Sequence, residues 1–303
     1  MSIERLNPQC IQCLINKHLR NIPDRFSSAE KTKYMQGILE IIAKADISMS
    51  APEIVGQINE FKQHYGEVND FAEIKNYFNN LMLSYEKNIE FKIENSNNSL
   101  KTAVKHAMVG NFIDFGAMEN VDEEKLKEKL DSAENIEIDS SQFKQFENDI
   151  RSAENIVYLT DNCGEIVLDK LLIKQILKNN SNVKINVIVR GKPVLNDCTI
   201  KDAKQVGLDK VVDIIGNGSA VAGTVLDKIS PDAKKIIDNA DVIISKGQGN
   251  FETLHHCGKN IYYLFLCKCK LFAERFGVEM FTGMFINDTA RIIRTVAHKE
   301  KRF

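Results

Sequence analysis

Two hydrophobic textures divide the chain. Between Ser27 and Tyr85 apolar residues recur every three or four positions: Tyr34, Ile38, Ile41 and Ile42, then Ile54, Val55, Ile58, Phe61 and Tyr65, then Ile74, Tyr77, Phe78, Leu81 and Tyr85. This spacing lays one apolar stripe along each of three helices. The start signals agree with it. Ser27-x-x-Glu30 reads as a capping box, and Ser50 before Ala51-Pro52 as an N-cap followed by an early-turn proline. The polar run Glu94–Ser99 has no periodicity and reads as a linker or an inter-helix loop. A further helix is predicted over 100–108.

From about residue 150 short β-branched runs alternate with helical patterns. Strands are predicted at 156–160, 184–190, 210–215, 241–245 and 261–266, and helices at 165–177, 199–206, 220–229 and 232–239. Thr199-x-x-Asp202 supplies a cap for the second of these helices. Near-continuous apolar strands separated by helices indicate βαβ units. The fold class that follows is α/β: a three-layer α/β/α arrangement with a mainly parallel sheet, plus an N-terminal all-helical region. We place the division at residue 98, with a helical domain over 1–98 and an α/β domain over 99–303.

In an open α/β sheet, ligands bind outside the carboxyl ends of the strands. Here those ends are polar. Asp161-Asn162-Cys163-Gly164-Glu165 follows the first strand, Arg190-Gly191-Lys192-Pro193 with Asn196-Asp197 the second, and Gly216-Asn217-Gly218-Ser219 the third. Lys246-Gly247-Gln248-Gly249-Asn250-Phe251-Glu252 follows the fourth, and Lys268 the fifth. Asp161, the amide oxygen of Asn162 and Asp197 are hard oxygen donors of the kind that hold Mg²⁺ or Mn²⁺. Lys246 offers a cation for phosphate charge. Gly247 and Gly249 let backbone N–H groups approach a ligand, and Gly164 does so at a helix start that favours an anion. Taken singly, each segment also reads as a helix cap or a glycine turn. It is their recurrence at successive strand ends that points to a site.

Composition narrows the partners. Apolar residues make up 43% and charged residues 27%, with a net charge of −2, so no basic excess suits nucleic acid or an anionic membrane. The start MSIERLNPQC contains no apolar leader, and no apolar run approaches the roughly 18 residues that span a bilayer. Seven cysteines, an odd number, argue against a secreted disulfide framework and for a reducing cytoplasmic setting. Two familiar phosphate-binding readings fall to minor status by position. A haloacid-dehalogenase-type aspartate motif needs a second Asp two residues after Asp161, where Cys163 stands. The run Gly216-Asn217-Gly218-Ser219-Ala220-Val221 lacks the third glycine of a dinucleotide fingerprint, and there is no Walker A sequence.

Taken in order, Gly110-Asn111-Phe112-Ile113-Asp114, Asp161-Asn162-Cys163-Gly164-Glu165, Lys192-Pro193-x-x-Asn196-Asp197, Lys246-Gly-Gln-Gly-Asn250-Phe251-Glu252 and Lys268-Cys269 resemble the metal-dependent damage-control phosphatase family, once a domain of unknown function. Pro8-x-Cys10-x-x-Cys13 resembles its cysteine-bearing, mainly prokaryotic branch. The resemblance covers most of the chain. It implies a metal-dependent phosphoric monoester hydrolase with one divalent metal (Mn²⁺, Co²⁺, Ni²⁺ or Mg²⁺) and a small phosphorylated metabolite, such as a sugar phosphate, as substrate. By the same resemblance Asp161, Asn162 and Asp197 match metal ligands, and these with Lys246 form the expected catalytic set. Asn111, Asp114, Glu165, Gly247, Gly249, Asn250, Glu252 and Lys268 match the substrate pocket. The chain departs from the family after Cys269, where Lys270-Leu271 replaces a common proline. It also has Phe265-Leu266 where the eukaryotic branch carries an Arg-Thr motif.

Other features compete with that reading. Cys10-x-x-Cys13 is half of a tetrahedral thiolate set, and Cys269 supplies more of it if the N-terminus packs against the fifth strand end. Cys163 and Cys198 flank the candidate ligands and read as small packing residues, and His255-His256 reads as structural at a helix start. Two alternatives to an enzyme stay open: a non-catalytic nucleotide or phosphometabolite-binding protein, and a cysteine-based metal or redox protein.

Overall fold

A computed structural model describes residues 5–67, 70–114 and 122–288. Among the described residues the α-helices are α1 (Pro8–Arg20), α2 (Ser28–Lys44), α3 (Ala51–Gln63), α4 (Ala72–Glu94), α5 (Ser99–Gly110), α6 (Glu123–Asp131), α7 (Ser140–Ser152), α8 (Glu165–Asn179), α9 (Ile200–Gln205), α10 (Pro231–Asp238), α11 (Gln248–Leu254) and α12 (Lys270–Phe276). The strands are β1 (Asn155–Leu159), β2 (Lys184–Val189), β3 (Asp213–Gly216), β4 (Val242–Lys246), β5 (Ile261–Leu266) and β6 (Gly283–Asn287). The predicted caps form: capping boxes close Ser27 with Glu30, Ser50 with Glu53, and Thr199 with Asp202. Each satisfies backbone N–H groups that a helix start otherwise leaves bare.

The strands make one sheet in the order β3-β2-β1-β4-β5-β6, parallel except for β6, which runs antiparallel to β5. Chain order reverses at β1, whose neighbours are β2 on one side and β4 on the other. The crevice outside the carboxyl ends of β1, β2 and β4 is therefore the topological switch point. Alternate residues of each strand feed two cores. Ile156, Tyr158, Val187, Val189 and Ile244 pack with α4, α5, α7 and α8. Val157, Leu159, Ile188, Ile243 and Phe265 pack with α10, α11 and α12. Helices α1, α2 and α3 bury a cluster of their own around Tyr34, Ile38, Ile54 and Ile58.

Several elements differ from expectation. Helices α1, α6, α7, α11 and α12 and strand β6 lie outside the predicted elements. No helix forms over 220–229. That backbone is held by tertiary bonds instead: the Gly223 carbonyl accepts from Arg190 Nη1 at 3.0 Å, and the Thr224 amide donates to Thr253 Oγ1 at 2.9 Å. His255-His256 lies at the end of α11, not at a helix start, with His255 as its C-cap. Glu94–Ser99 is the turn joining α4 to α5, and α4 shares its core with α8 and the sheet. The charged run Lys299–Arg302 lies outside the described residues.

Candidate active site

The loops after β1 and β2 are joined before any side chain is considered. Cys163 N–H donates to the Asn196 carbonyl at 2.9 Å and Cys198 N–H to the Asp161 carbonyl at 2.7 Å, so Asn162 and Asp197 face one another as an antiparallel bridge. Directly opposed residues project to the same side of such a pair. The β2 loop reaches this position by turning at Leu195, whose φ of +44° is one that L residues rarely adopt.

Around that bridge lie most of the predicted ligands. Asp161 Oδ2 accepts from Asn111 Nδ2 at 2.9 Å and Asn162 Nδ2 at 2.8 Å. Asn162 also donates to Glu165, while among the described residues no hydrogen bond reaches its amide oxygen. Arg190, absent from the sequence-based set, ties the carboxylates together. Its Nε donates to Asp197 Oδ2 at 2.6 Å and its Nη2 to Asp161 Oδ1 at 3.3 Å, while Nη1 bonds Asn250 Oδ1 at 3.2 Å. The one signal for it in the sequence is a buried-strand pattern ending on a charge. Asp161 and Asp197 are both buried. Burial first, then repulsion from Asp197 and Glu165, pushes the Asp161 carboxyl well above its ordinary range. Burial, only partly offset by Arg190, raises Asp197 to about 6.

Lys246 takes a different position from the one expected. Its side chain is fully buried, and Nζ donates to Glu165 Oε1 at 2.5 Å, Asp169 Oδ1 at 2.7 Å and the Ala107 carbonyl at 2.8 Å. An ammonium has three hydrogens, so none is left for a phosphoryl oxygen. Burial alone would lower its pKa, but Asp169 and Glu165 more than offset that and raise it. The ion cluster underlies the site: Glu165 accepts from Asn111 and Asn162, the same two amides that hold Asp161.

Gly247 packs directly on Asp161. A Cβ there would lie 2.0 Å from Asp161 Oδ2, and the residue has φ +83°. Gly249 is pressed against backbone, with the Ala222 carbonyl 2.2 Å from where its Cβ would be. Gly164 N–H is not free for a ligand, since it donates to Asn79 Oδ1 at 2.7 Å. Asn250 spends its amide on the Thr160 and Lys246 carbonyls at 3.2 and 2.7 Å. Lys268, past the end of β5, pairs with Asp114 at 2.6 Å, and Asp114 lies within electrostatic reach of both Asp161 and Asp197. Glu252 points elsewhere, receiving Gln248 Nε2 at 2.8 Å.

Cys163, Cys198 and Asp202 bring their donor atoms within 4.8 Å of one another. The Lys75 ammonium already lies 2.6 Å from Asp202 and near both thiols, so a cation fills that group. A cavity of about 490 Å³, lined by Asn155, Lys184, Asp213 and Asn239, opens at the amino ends of β1, β2 and β3. It lies at the opposite end of the strands from the carboxylates. Among the described residues no helix is long and apolar enough to cross a membrane.

Comparison with known proteins gives the same answer at three levels. Residues 6–283 match the model of the damage-control phosphatase ARMT1-like domain. The damage-control phosphatase PH1575 of Pyrococcus horikoshii is 31% identical over 280 residues, covering 89% of this chain and 93% of that protein. The uncharacterized protein MJ0202 of Methanocaldococcus jannaschii is 30% identical over 291 residues, covering 91% and 93%. A damage-control phosphatase of Archaeoglobus fulgidus is 34% identical over 224 residues, 71% of this chain and 74% of that one. The crystal structure of PH1575, described as a DUF89 family protein, superposes with a TM-score of 0.77 at 27% identity, covering 93% of this chain and 99% of that one. With buried Asp161, Asn162 and Asp197 gathered at the switch point of a sheet shared with PH1575, this chain belongs to the damage-control phosphatase ARMT1-like family.

Proposed function

We propose that the protein is a metal-dependent phosphatase of small phosphomonoesters, sugar phosphates or damaged phosphometabolites. The observation that carries the reading is the pair of buried carboxylates, Asp161 and Asp197, on two loops joined by the Asn162–Asp197 bridge, with the Asn162 amide oxygen uncommitted among the described residues. The relatives named damage-control phosphatases support it. The donor set fits a hard divalent cation, Mg²⁺ or Mn²⁺ in kind, with Co²⁺ and Ni²⁺ as borderline choices. Two buried carboxylates that repel one another are stabilised by such an ion. Asp161, Asn162 and Asp197 would hold it, and when bound it supplies Lewis-acid polarisation of a phosphoryl oxygen.

The chain's own residues do the rest. Asn111 and Asn162 fix one oxygen of Asp161, and Arg190 fixes the other. This freezes the carboxylate before substrate arrives, the preorganisation on which phosphoryl transfer depends. Arg190 offsets part of the burial that raises both acids. Lys268, paired with Asp114 near the two acids, is the cation that meets the phosphate. Lys246 acts from below, positioning Glu165 and through it the two amides.

The test is hydrolysis of p-nitrophenyl phosphate and a sugar-phosphate panel after chelation, with Mg²⁺, Mn²⁺, Co²⁺ or Ni²⁺ restored singly. The reading requires turnover that returns with metal and is abolished in Asp161→Ala. Binding of phosphometabolites without turnover under every metal would mark a non-catalytic binding protein instead. Chemical trapping of the enzyme during turnover identifies the attacking group: borohydride reduction that converts Asp161 to homoserine reports an aspartyl-phosphate and marks that residue as the nucleophile.

A further inference from the structure

The family resemblance puts Glu252 in the substrate pocket, yet its carboxylate meets Gln248. The other end of Gln248 gives that contact a purpose. Strand β5 outruns its neighbour β4. Their backbone ladder ends at the Lys246–Leu264 pair, where Gly247 N–H donates to the Leu264 carbonyl at 3.1 Å. Beyond it two side-chain amides take the place of the missing strand. Leu266 N–H donates to Asn111 Oδ1 at 3.1 Å, and Lys268 N–H to Gln248 Oε1 at 3.0 Å. Cys267 N–H, between them, turns to the β6 side and donates to the Thr282 carbonyl at 2.9 Å. Each amide then spends its nitrogen on a carboxylate. Asn111 Nδ2 donates to Asp161 Oδ2 at 2.9 Å, and Gln248 Nε2 to Glu252 Oε1 at 2.8 Å.

Gln248 and Glu252 stand four residues apart on α11, so amide and carboxylate are neighbours on one side of the helix. Their bond fixes which way the amide points. Turned over, Gln248 would set its oxygen against the Glu252 carboxylate and its nitrogen against the Lys268 N–H, two repulsive contacts. The far end of α11 is held as well. The Arg5 guanidinium donates to the carbonyls of Glu252, Thr253 and His255, groups of the kind that a helix C-terminus leaves bare. A short, anchored helix thus carries the acceptor that receives the Lys268 backbone. From that backbone the Lys268 ammonium reaches Asp114 at 2.6 Å.

We propose that Gln248 is a positioning residue for Lys268, and that Glu252 sets the orientation of Gln248 without touching substrate. This rests on the reading of Lys268 as the cation that meets the phosphate. Lys268 lies two residues past β5, so its N–H has the Gln248 side chain where a strand would otherwise stand. The two amides divide the work. Asn111 orients a carboxylate of the metal site, and Gln248 orients the cation for the phosphate. Loss of the Gln248 bond leaves Asp161 with its partners Asn111, Asn162 and Arg190. The effect therefore falls on substrate binding and spares the chemical step.

The experiment compares KM and kcat of the full chain for p-nitrophenyl phosphate, under the metal that supports turnover. It is run at about pH 8.5, above the value of about 7 to which burial raises Glu252. Gln248→Glu keeps an acceptor for the Lys268 N–H but sets two carboxylates face to face. KM is expected to rise roughly three- to tenfold, with kcat within about twofold of wild type. Adding Glu252→Gln returns a donor to the pair and restores KM. Gln248→Leu also raises KM, and Glu252→Gln does not restore it; this variant carries the test if Gln248→Glu fails to fold by circular dichroism. In a Lys268→Ala background neither Gln248 substitution raises KM further, because the two residues act through one another. Wild-type KM in the folded Gln248 variants, absence of rescue, or an undiminished effect in Lys268→Ala overturns the inference while the phosphatase reading stands. If no metal gives turnover, that reading fails instead. Calorimetric binding of inorganic phosphate to the same variants then replaces KM, and equal affinity across them, or no binding, overturns the inference.

Discussion

Gly247→Ala isolates the contact on which the site's geometry turns. The added methyl acts in two ways. Gly247 has φ +83° and ψ 153°, in a region occupied essentially by glycine alone, where a side chain costs about 1–3 kcal/mol. The methyl would also lie 2.0 Å from Asp161 Oδ2 and 2.3 Å from Cγ, well inside the ~3.5 Å at which carbon contacts become favourable. Something must retreat by about 1 Å or more. Asp161 is a short side chain pinned by Asn111, Asn162 and Arg190, so its retreat breaks bonds at both carboxylate oxygens. A misplacement near 1 Å costs on the order of 10²-fold in rate.

The expected outcome is therefore a roughly hundredfold or greater fall in metal-stimulated kcat/KM, weaker metal binding, and a Tm lowered by about 2–6 °C. Gly258→Ala is the control. Gly258 has φ +82° and no atom within 4 Å of the added carbon, so it carries the strain without the contact. It should lower Tm and leave kcat/KM unchanged. Melting by scanning calorimetry and initial rates on p-nitrophenyl phosphate measure both. If Gly247→Ala keeps kcat/KM within about threefold of wild type while folded, Asp161 is not the pinned catalytic group described above.

Three further outcomes test the electrostatics. Lys246→Ala leaves Glu165 and Asp169 as uncompensated buried carboxylates and should cost about 3–5 kcal/mol in urea denaturation, whereas Lys268→Ala should fold normally and raise KM about tenfold; equal stability of the two variants would contradict the different placement of these lysines. Arg190→Lys keeps the charge but loses the fork that spans Asp161 and Asp197, so kcat/KM should drop at least about tenfold; wild-type rates would remove Arg190 from the mechanism. His106 is buried, among the described residues neither ring nitrogen has a hydrogen-bond partner, and burial, helped by Lys92, lowers its pKa to about 4. The folded chain therefore binds this proton less readily than the unfolded chain, with its ordinary value near 6.5. The group's contribution is intact above that value and is lost as pH falls toward 4, by about 2 kcal/mol between pH 7 and pH 5. Buried Asp197, raised to about 6, acts with the opposite sign: its contribution is present below about 4 and lost as pH rises through 6. It is common to both proteins, so the difference between wild type and His106→Phe isolates the histidine. A stability difference that does not change with pH would show that His106 is not buried as a neutral ring.

How much of this was legible beforehand follows from which interactions are local. The capping boxes at Ser27, Ser50 and Thr199 and the stripes of α2 and α3 are set within one or two turns, so spacing reveals them. The parallel strands announce themselves because both faces are buried. The segment over 220–229 looks helical because its apolar spacing is helical, but its Gly223 carbonyl and Thr224 amide are claimed by Arg190 and Thr253, contacts that no local pattern encodes. Strand β6 was missed because its pairing partner β5 lies some 20 residues earlier in the chain, and an antiparallel edge strand of five residues carries little periodicity of its own.

The misplaced lysine has a sharper cause, and it lies in the period-two rule of the strand. In β4, Val242 and Ile244 face the core shared with α5 and α8, while Ile243 faces the other side. Lys246 has the parity of Val242 and Ile244 and is the strand's last residue, so its side chain must enter the same layer. There it can persist only because α8 delivers Glu165 and Asp169 to meet it. Arg190 obeys the same rule on β2. It follows Val189 and shares the parity of Ile188, which faces the α11 layer, and its Nη1 is accordingly bonded to Asn250 of α11 and to the Gly223 carbonyl. Lys268 lies beyond the last residue of β5, outside the pleat, where Asp114 comes to meet it near the two acids. A charge at a strand end is therefore not one kind of residue. At the last residue of a strand, or one past it, its face decides which helix layer neutralises it; two residues past β5, Lys268 leaves that alternation and is met by Asp114 instead. The proposed roles, Lys246 and Arg190 holding the carboxylates and Lys268 meeting the substrate, are put to direct test by the contrast between Lys246→Ala and Lys268→Ala.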